Sequence, residues 1–111
     1  MKESASFLKK LFDEKKYLEI INIIDNEIEK EKLNSGLINL SGVCKLLINK
    51  SKNNLVKSID DFRKSYLKEK NTPNALEALK NFINTSMDLF DLCFSENQEF
   101  PKEIFEEILN Y

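Results

Sequence analysis

The chain has 111 residues, 41% of them hydrophobic and 32% charged, with a formal net charge of −2. This is the length of one domain, able to bury roughly two thirds of the surface its unfolded chain exposes, so a core forms without metal or disulfide staples. Histidine is absent, which excludes Ser-His-Asp and Cys-His catalysis, His-containing zinc sites and Glu-x-x-His di-iron bundles.

Charge is unevenly distributed. Residues 1–34 sum to −1, residues 35–72 to +5 and residues 73–111 to −6. All the basic residues but Arg63 are lysines, and lysine lacks the planar fork that reads phosphates and base edges bidentately. Nucleic acid is therefore an unlikely partner. Apolar stretches are cut every few residues by Lys, Asn, Glu or Asp, so no membrane span is expected. Lys9 and Lys10 interrupt the apolar run that an export signal would need, leaving a cytoplasmic location as the default. Cys44 and Cys93, far apart and outside any CxxC motif, read as reduced, buried small residues.

In chain order, the first helix is expected from about Ser4 to Asp13, with Ser4 or Ser6 as its cap and Phe7, Leu8, Leu11 and Phe12 at helical spacing. A turn at Glu14-Lys15-Lys16 leads to a second helix from Tyr17 to about Lys30. Its stripe of Tyr17, Ile20, Ile21, Ile24 and Ile28 is the strongest periodic signal in the chain. The third helix, about Leu37 to Asn49, is almost continuously apolar and is expected to be central, covered on several sides. Gly42 in its interior costs about 1 kcal/mol relative to Ala, which implies close approach of a neighbouring helix backbone. The fourth helix follows Asn53 and extends to about Lys68, aligning Leu55, Ile59, Phe62 and Tyr66, with Val56 beside them.

Pro73 suits the first turn of a fifth helix that reaches about Phe94. Ala75, Leu76, Leu79, Phe82, Ile83, Ser86, Phe90 and Cys93 or Phe94 trace its expected stripe. Pro101 opens a sixth helix carrying Ile104, Phe105, Ile108 and Leu109. The result is an all-α chain of about six helices, a single domain of three antiparallel hairpins at about residues 3–31, 36–69 and 73–110.

The first and third helices echo each other at an offset of 34 residues: Ser4-x2-Phe7-Leu8-x2-Leu11 recurs as Ile38-x2-Ser41-Gly42-x2-Lys45. A period in this range signals stacked helix pairs, each covering its neighbour's apolar face. Together with Lys16-Tyr17-Leu18-Glu19-Ile20-Ile21, Leu40-Ser41-Gly42 and Ser58-x3-Phe62-x2-Ser65, it resembles the tetratricopeptide repeat family over about residues 3–95. Departures are evident: Ile20 fills the usual small position, Lys45 stands where an aromatic is expected, the second repeat is stretched by about one helical turn, and the third hairpin loses the motif.

The resemblance implies a right-handed stack and a non-catalytic protein-interaction scaffold that binds a peptide or helix in a concave groove. Partner-binding candidates on the first helix of each pair are Lys9, Phe12, Asn39, Val43, Leu46, Glu77, Asn81 and Asn84. Ala5 and Glu77 oppose a carboxylate clamp of the family's type. Two alternatives stand beside this reading. One is a self-associating helical domain whose C-terminal aromatics, Phe90, Phe94, Phe100, Phe105 and Tyr111, form a homodimer seam. The other is an N-terminal accessory segment of a larger transferase-type enzyme. No cofactor, metal or catalytic residue is expected, because Gly36 and Gly42 are the only glycines and no phosphate loop or EF-hand spacing exists. Adjacent carboxylates at Asp60-Asp61 and Glu106-Glu107 point about 100° apart on a helix and read as solvated faces.

Overall fold

The computed structural model describes residues 5–109. It is all-helical, with six α-helices and no strand among the described residues: α1 (Ala5–Asp13), α2 (Tyr17–Asn22), α3 (Ser35–Ile48), α4 (Lys52–Lys68), α5 (Pro73–Ser95) and α6 (Lys102–Leu109). Extents of 45 × 29 × 20 Å describe a slab whose thin dimension is about two helix diameters.

Local chemistry sets the boundaries. Ser6 lies inside α1, and Ser4 lies outside the described residues. Asn34, Ser51 and Thr72 cap α3, α4 and α5, each accepting a hydrogen bond from a backbone N–H three residues on. Stops are made without glycine: Lys15, Asn71 and Asn97 adopt positive φ. At Asn97 the backbone N–H of Gln98 returns to the Cys93 carbonyl, closing α5 in a Schellman turn.

The second helix departs from expectation. After Asn22 it widens into a π turn, Ile23–Glu27, closed by the Ile28 N–H on the Ile23 carbonyl, and a short 3-10 turn follows at Lys30–Lys32. The extra residue per turn puts Ile23 and Ile24 into the core together while Asp25 swings toward α3.

Two apolar cores flank α3. The first joins Leu8, Leu11, Ile20, Ile23, Ile24 and Cys44, with Leu37 and Leu40 packed against it. The second joins Leu55, Ile59, Phe62, Phe82, Leu89 and Cys93, with Val43, Leu46 and the α6 residues Ile104 and Ile108 against it. Thus α3 is central as expected, standing as the wall between the two cores. Its fully buried residues are the small ones, Ser35, Ser41, Gly42 and Cys44, while Leu47 and Ile48 are exposed.

The seam between α3 and α4 explains this inversion. A Cβ on Gly42 would lie 2.6 Å from Cε1 of Phe62, so the close neighbour is an aromatic ring and not the backbone expected from sequence. Beside it the Ser58 hydroxyl donates to the Gly42 carbonyl at 3.0 Å. Farther along, Ser35 and Ser65 are reciprocal: each hydroxyl donates to the other's carbonyl, at 2.7 and 2.6 Å. Small residues bring the helices close, and the hydroxyls satisfy carbonyls that the approach removes from water.

The buried stripe of α5 keeps the expected Ala75, Phe82, Ser86 and Cys93 and adds Ala78, Thr85 and Leu89, whereas Leu76, Phe90 and Phe94 are exposed. Both cysteines are buried and free, and burial pushes the Cys44 thiol up to about 12. No helix among the described residues is long and apolar enough to cross a membrane.

Gly42→Ala tests the seam. Alanine gains about 1 kcal/mol of helix propensity but overpacks a ring that cannot retreat, at a cost of about 1–3 kcal/mol. A net loss on the order of 1 kcal/mol is expected in urea unfolding; a stabilised variant would show that Phe62 is not confined.

Candidate functional site

Two features qualify as candidate sites: a half-buried ion cluster between the first and second hairpins, and an apolar face on α5 and α6.

The cluster centres on Lys45. Its ammonium lies 3.0 Å from Asp25 of the π turn and 2.5 Å from Asp61 of α4, and the buried Ser41 hydroxyl donates to the second oxygen of Asp25 at 2.8 Å. One cation thereby ties three elements. Lys45 and Asp61 are only 12% and 14% exposed in their side chains. Burial pushes the Asp61 carboxyl up to about 6, against the pull of Lys45, and the charges of Asp25 and Asp60 add to the rise. Burial alone would lower Lys45, but its bonds to Asp61 and Asp25 outweigh that and hold it above its ordinary value.

Both groups rise, though an ion pair by itself would drive them apart. One ammonium cannot offset two carboxylates in a site short of water, so the surplus negative charge falls on Asp61. A lysine held protonated in this way donates hydrogen bonds and is unsuited to act as a general base. Asp60, one position on, points elsewhere: burial would raise it, but hydrogen bonds from Lys64 and Arg63 lower it. The divergence of the adjacent carboxylates follows the helical geometry expected, but Asp61 is an internal anchor rather than part of a solvated face. An open cleft of about 350 Å³ beside the cluster is lined by Lys45, Lys57, Asp60, Asp61 and Lys64.

The sequence-derived candidates fall in several places. Lys9 is exposed on α1 and paired with Asp13 at 2.9 Å. Phe12 packs edge-on to Tyr17, with centroids 5.5 Å apart, against the first core. Asn39, Val43, Leu46 and Asn81 gather where α3 meets α5. There Asn81 donates to Asn39 at 3.0 Å, and Val43 and Leu46 pack on the second core. Glu77 and Asn84 are exposed on α5. The asparagine amides thus bond across two helices, spending capacity that a peptide would otherwise engage.

Helices α5 and α6 carry the apolar face. Met87, Phe90 and Phe94 stand at i, i+3 and i+7 along α5, with Phe94 80% and Met87 61% exposed. Phe100, in the connection to α6, meets Phe90 edge-on with centroids 5.7 Å apart. Phe105 and Ile108 of α6 complete a groove of about 250 Å³ with Asp91 at its edge. The aromatic cluster is therefore divided: Phe100 is half-buried, Phe90, Phe94 and Phe105 are exposed, and Tyr111 lies outside the described residues. The sequence signal for this face was the surplus of large apolar residues on α5, more than one buried stripe can hold.

Among known proteins, no family model, no curated protein and no solved structure matches this chain. The class defined by its own fold is an all-α helical protein with a charged tie and an open apolar groove.

Asp61 generates a pH prediction. Its folded value lies above the unfolded 3.8, so the folded state binds the extra proton and the contribution is fully present below about pH 4, then lost as pH rises through about 6. The stability of the wild type relative to Asp61→Asn should fall by about 1–3 kcal/mol between pH 4 and 6, at about 1.4 kcal/mol per unit. Paired urea titrations measure this difference; a flat difference across the window would contradict it.

Proposed function

We propose that the chain is a non-catalytic protein-interaction module that holds a helix from a partner protein in the groove between α5 and α6. The observation carrying this reading is the apolar groove lined by Met87, Phe90 and Phe105, with the exposed Phe94 one helical turn beyond Phe90 on α5. Each such side chain left in water forgoes about 1.5–3 kcal/mol of burial. Contiguous apolar surface rimmed by polar groups characterises interaction sites. An i, i+3, i+7 stripe on a rigid helix complements the same stripe on a second helix, over about 10 Å of axis.

In this reading the docking site moves from the first helix of each pair to the α5–α6 groove, because Asn39 and Asn81 bond to each other and Val43 and Leu46 pack on the second core. Kinship with tetratricopeptide arrays is supported by the second hairpin, where the small residue Gly42 receives the aromatic Phe62 and Ser58 lies one turn away.

A displayed library of helical peptides, selected against the folded chain, tests the module. Binders should perturb amide shifts on α5 and α6, and Met87→Ser with Phe94→Ser should weaken them about tenfold or more while leaving stability within about 0.5 kcal/mol. Binders mapping to α1–α3, or the absence of enrichment, would overturn the reading.

A further inference from the structure

The charge around the α5–α6 groove narrows its occupant, on the reading just proposed. From Ser86 to Leu109 the chain carries seven acidic residues and one base, Lys102, a surplus of six negative charges. Internal partners engage three of the acids: Asp88 faces Lys50 at 3.6 Å, Glu106 faces Lys102 at 3.7 Å and Glu107 faces Arg63 at 3.6 Å. Asp91, Glu96, Glu99 and Glu103 have no ion pair among the described residues. Asp91 borders the groove directly, Glu96 follows the exposed Phe94 by two residues, and Glu99 adjoins Phe100, whose ring closes on Phe90. Asp91 thus stands at the groove's edge and Glu96 and Glu99 in the loop that closes it, while Glu103 turns to the cleft against α4.

We propose that the occupant is a Lys- or Arg-rich amphipathic helix of another protein, with its apolar stripe on Met87, Phe90 and Phe105 and its cations over Asp91, Glu96 and Glu99. A second copy docking through the same face would bring the unpaired Asp91, Glu96 and Glu99 of one surface against those of the other, and like charges oppose such a seam. An anionic lipid surface or a nucleic acid meets the same repulsion. A cationic helix instead neutralises the rim while covering the apolar floor.

Fluorescence anisotropy with synthetic helices of about 14 residues, roughly 21 Å long, tests this. Three probes share one Leu stripe and carry Lys, Gln or Glu on the polar face; a fourth scrambles the Lys peptide so that no stripe forms. The Lys helix should bind at least about tenfold more tightly than the Gln helix, more weakly as salt is raised, and the Glu and scrambled probes should not bind. Asp91→Lys with Glu99→Lys should weaken the Lys helix and admit the Glu helix. If that pair fails to fold, Glu96→Lys in the loop carries the same test.

Equal, salt-independent binding of the Lys and Gln helices would overturn the cationic partner while leaving the groove intact. Binding of the Lys helix that survives Met87→Ser with Phe94→Ser, or failure of all four probes, would overturn the groove reading itself. A wild-type dimer in sedimentation that Met87→Glu dissociates would make a second copy the occupant and overturn the proposal.

Discussion

The missing side chain at position 42 is the constraint on which the rest of the molecule depends. Because Gly42 leaves room for the Phe62 ring, α3 and α4 approach along small residues, and that approach puts Ser58, Ser35 and Ser65 within reach of opposing carbonyls. It also carries Lys45 to Asp61. Each hydrogen bond in the seam presupposes the close contact and would leave a buried polar group unsatisfied without it. With Ser35 and Gly42 turned to α4, and Ser41 and Cys44 turned to the first hairpin, α3 lies between two separate cores.

The charged tie stands on that seam and does different work. A buried ion pair adds little net stability, since desolvation consumes most of the Coulombic gain, but it does define which arrangement is allowed. Lys45 is held by the first hairpin through Asp25 and by the second through Asp61. Apolar contacts in the first core would tolerate sliding of one helix past another; a lysine with two fixed acceptors does not. The tie therefore sets the register between the hairpins, while the cores supply the driving force.

How much of this was legible in the sequence differs from one residue to the next. The start of α5 was readable at Pro73, because that signal acts within one turn of the chain, whereas the Thr72 cap beside it emerges only in the structure. The 34-residue echo sets Lys45 opposite Leu11, a core residue, whereas Lys45 lies in the ion cluster. The replacement of an apolar residue by lysine was the trace of the ion cluster, but its acceptors lie 16 residues to one side and 20 to the other, beyond any local pattern. Part of the α5 stripe departs from expectation for a related reason. Apolar size points Phe90 and Phe94 inward, whereas closeness to a neighbour selects Ala78 and Thr85 beside the expected Ser86. Periodicity reports which residues share a face, not which face is covered. The groove exists because that distinction goes the unexpected way on α5.

The π turn at Ile23–Glu27 has a consequence for how the chain can change length. A π turn is an α-helix with one residue too many, and losing any one of the five would restore ordinary geometry while rotating later side chains by about 100°. Asp25 would leave both Lys45 and Ser41, and the lysine would face the interior with one acceptor fewer. Insertion length at one site and charge at another, in a different hairpin, are thus locked together. A shorter second helix would leave Lys45 paired with Asp61 alone, so the tie would close within the second hairpin and no longer reach the first.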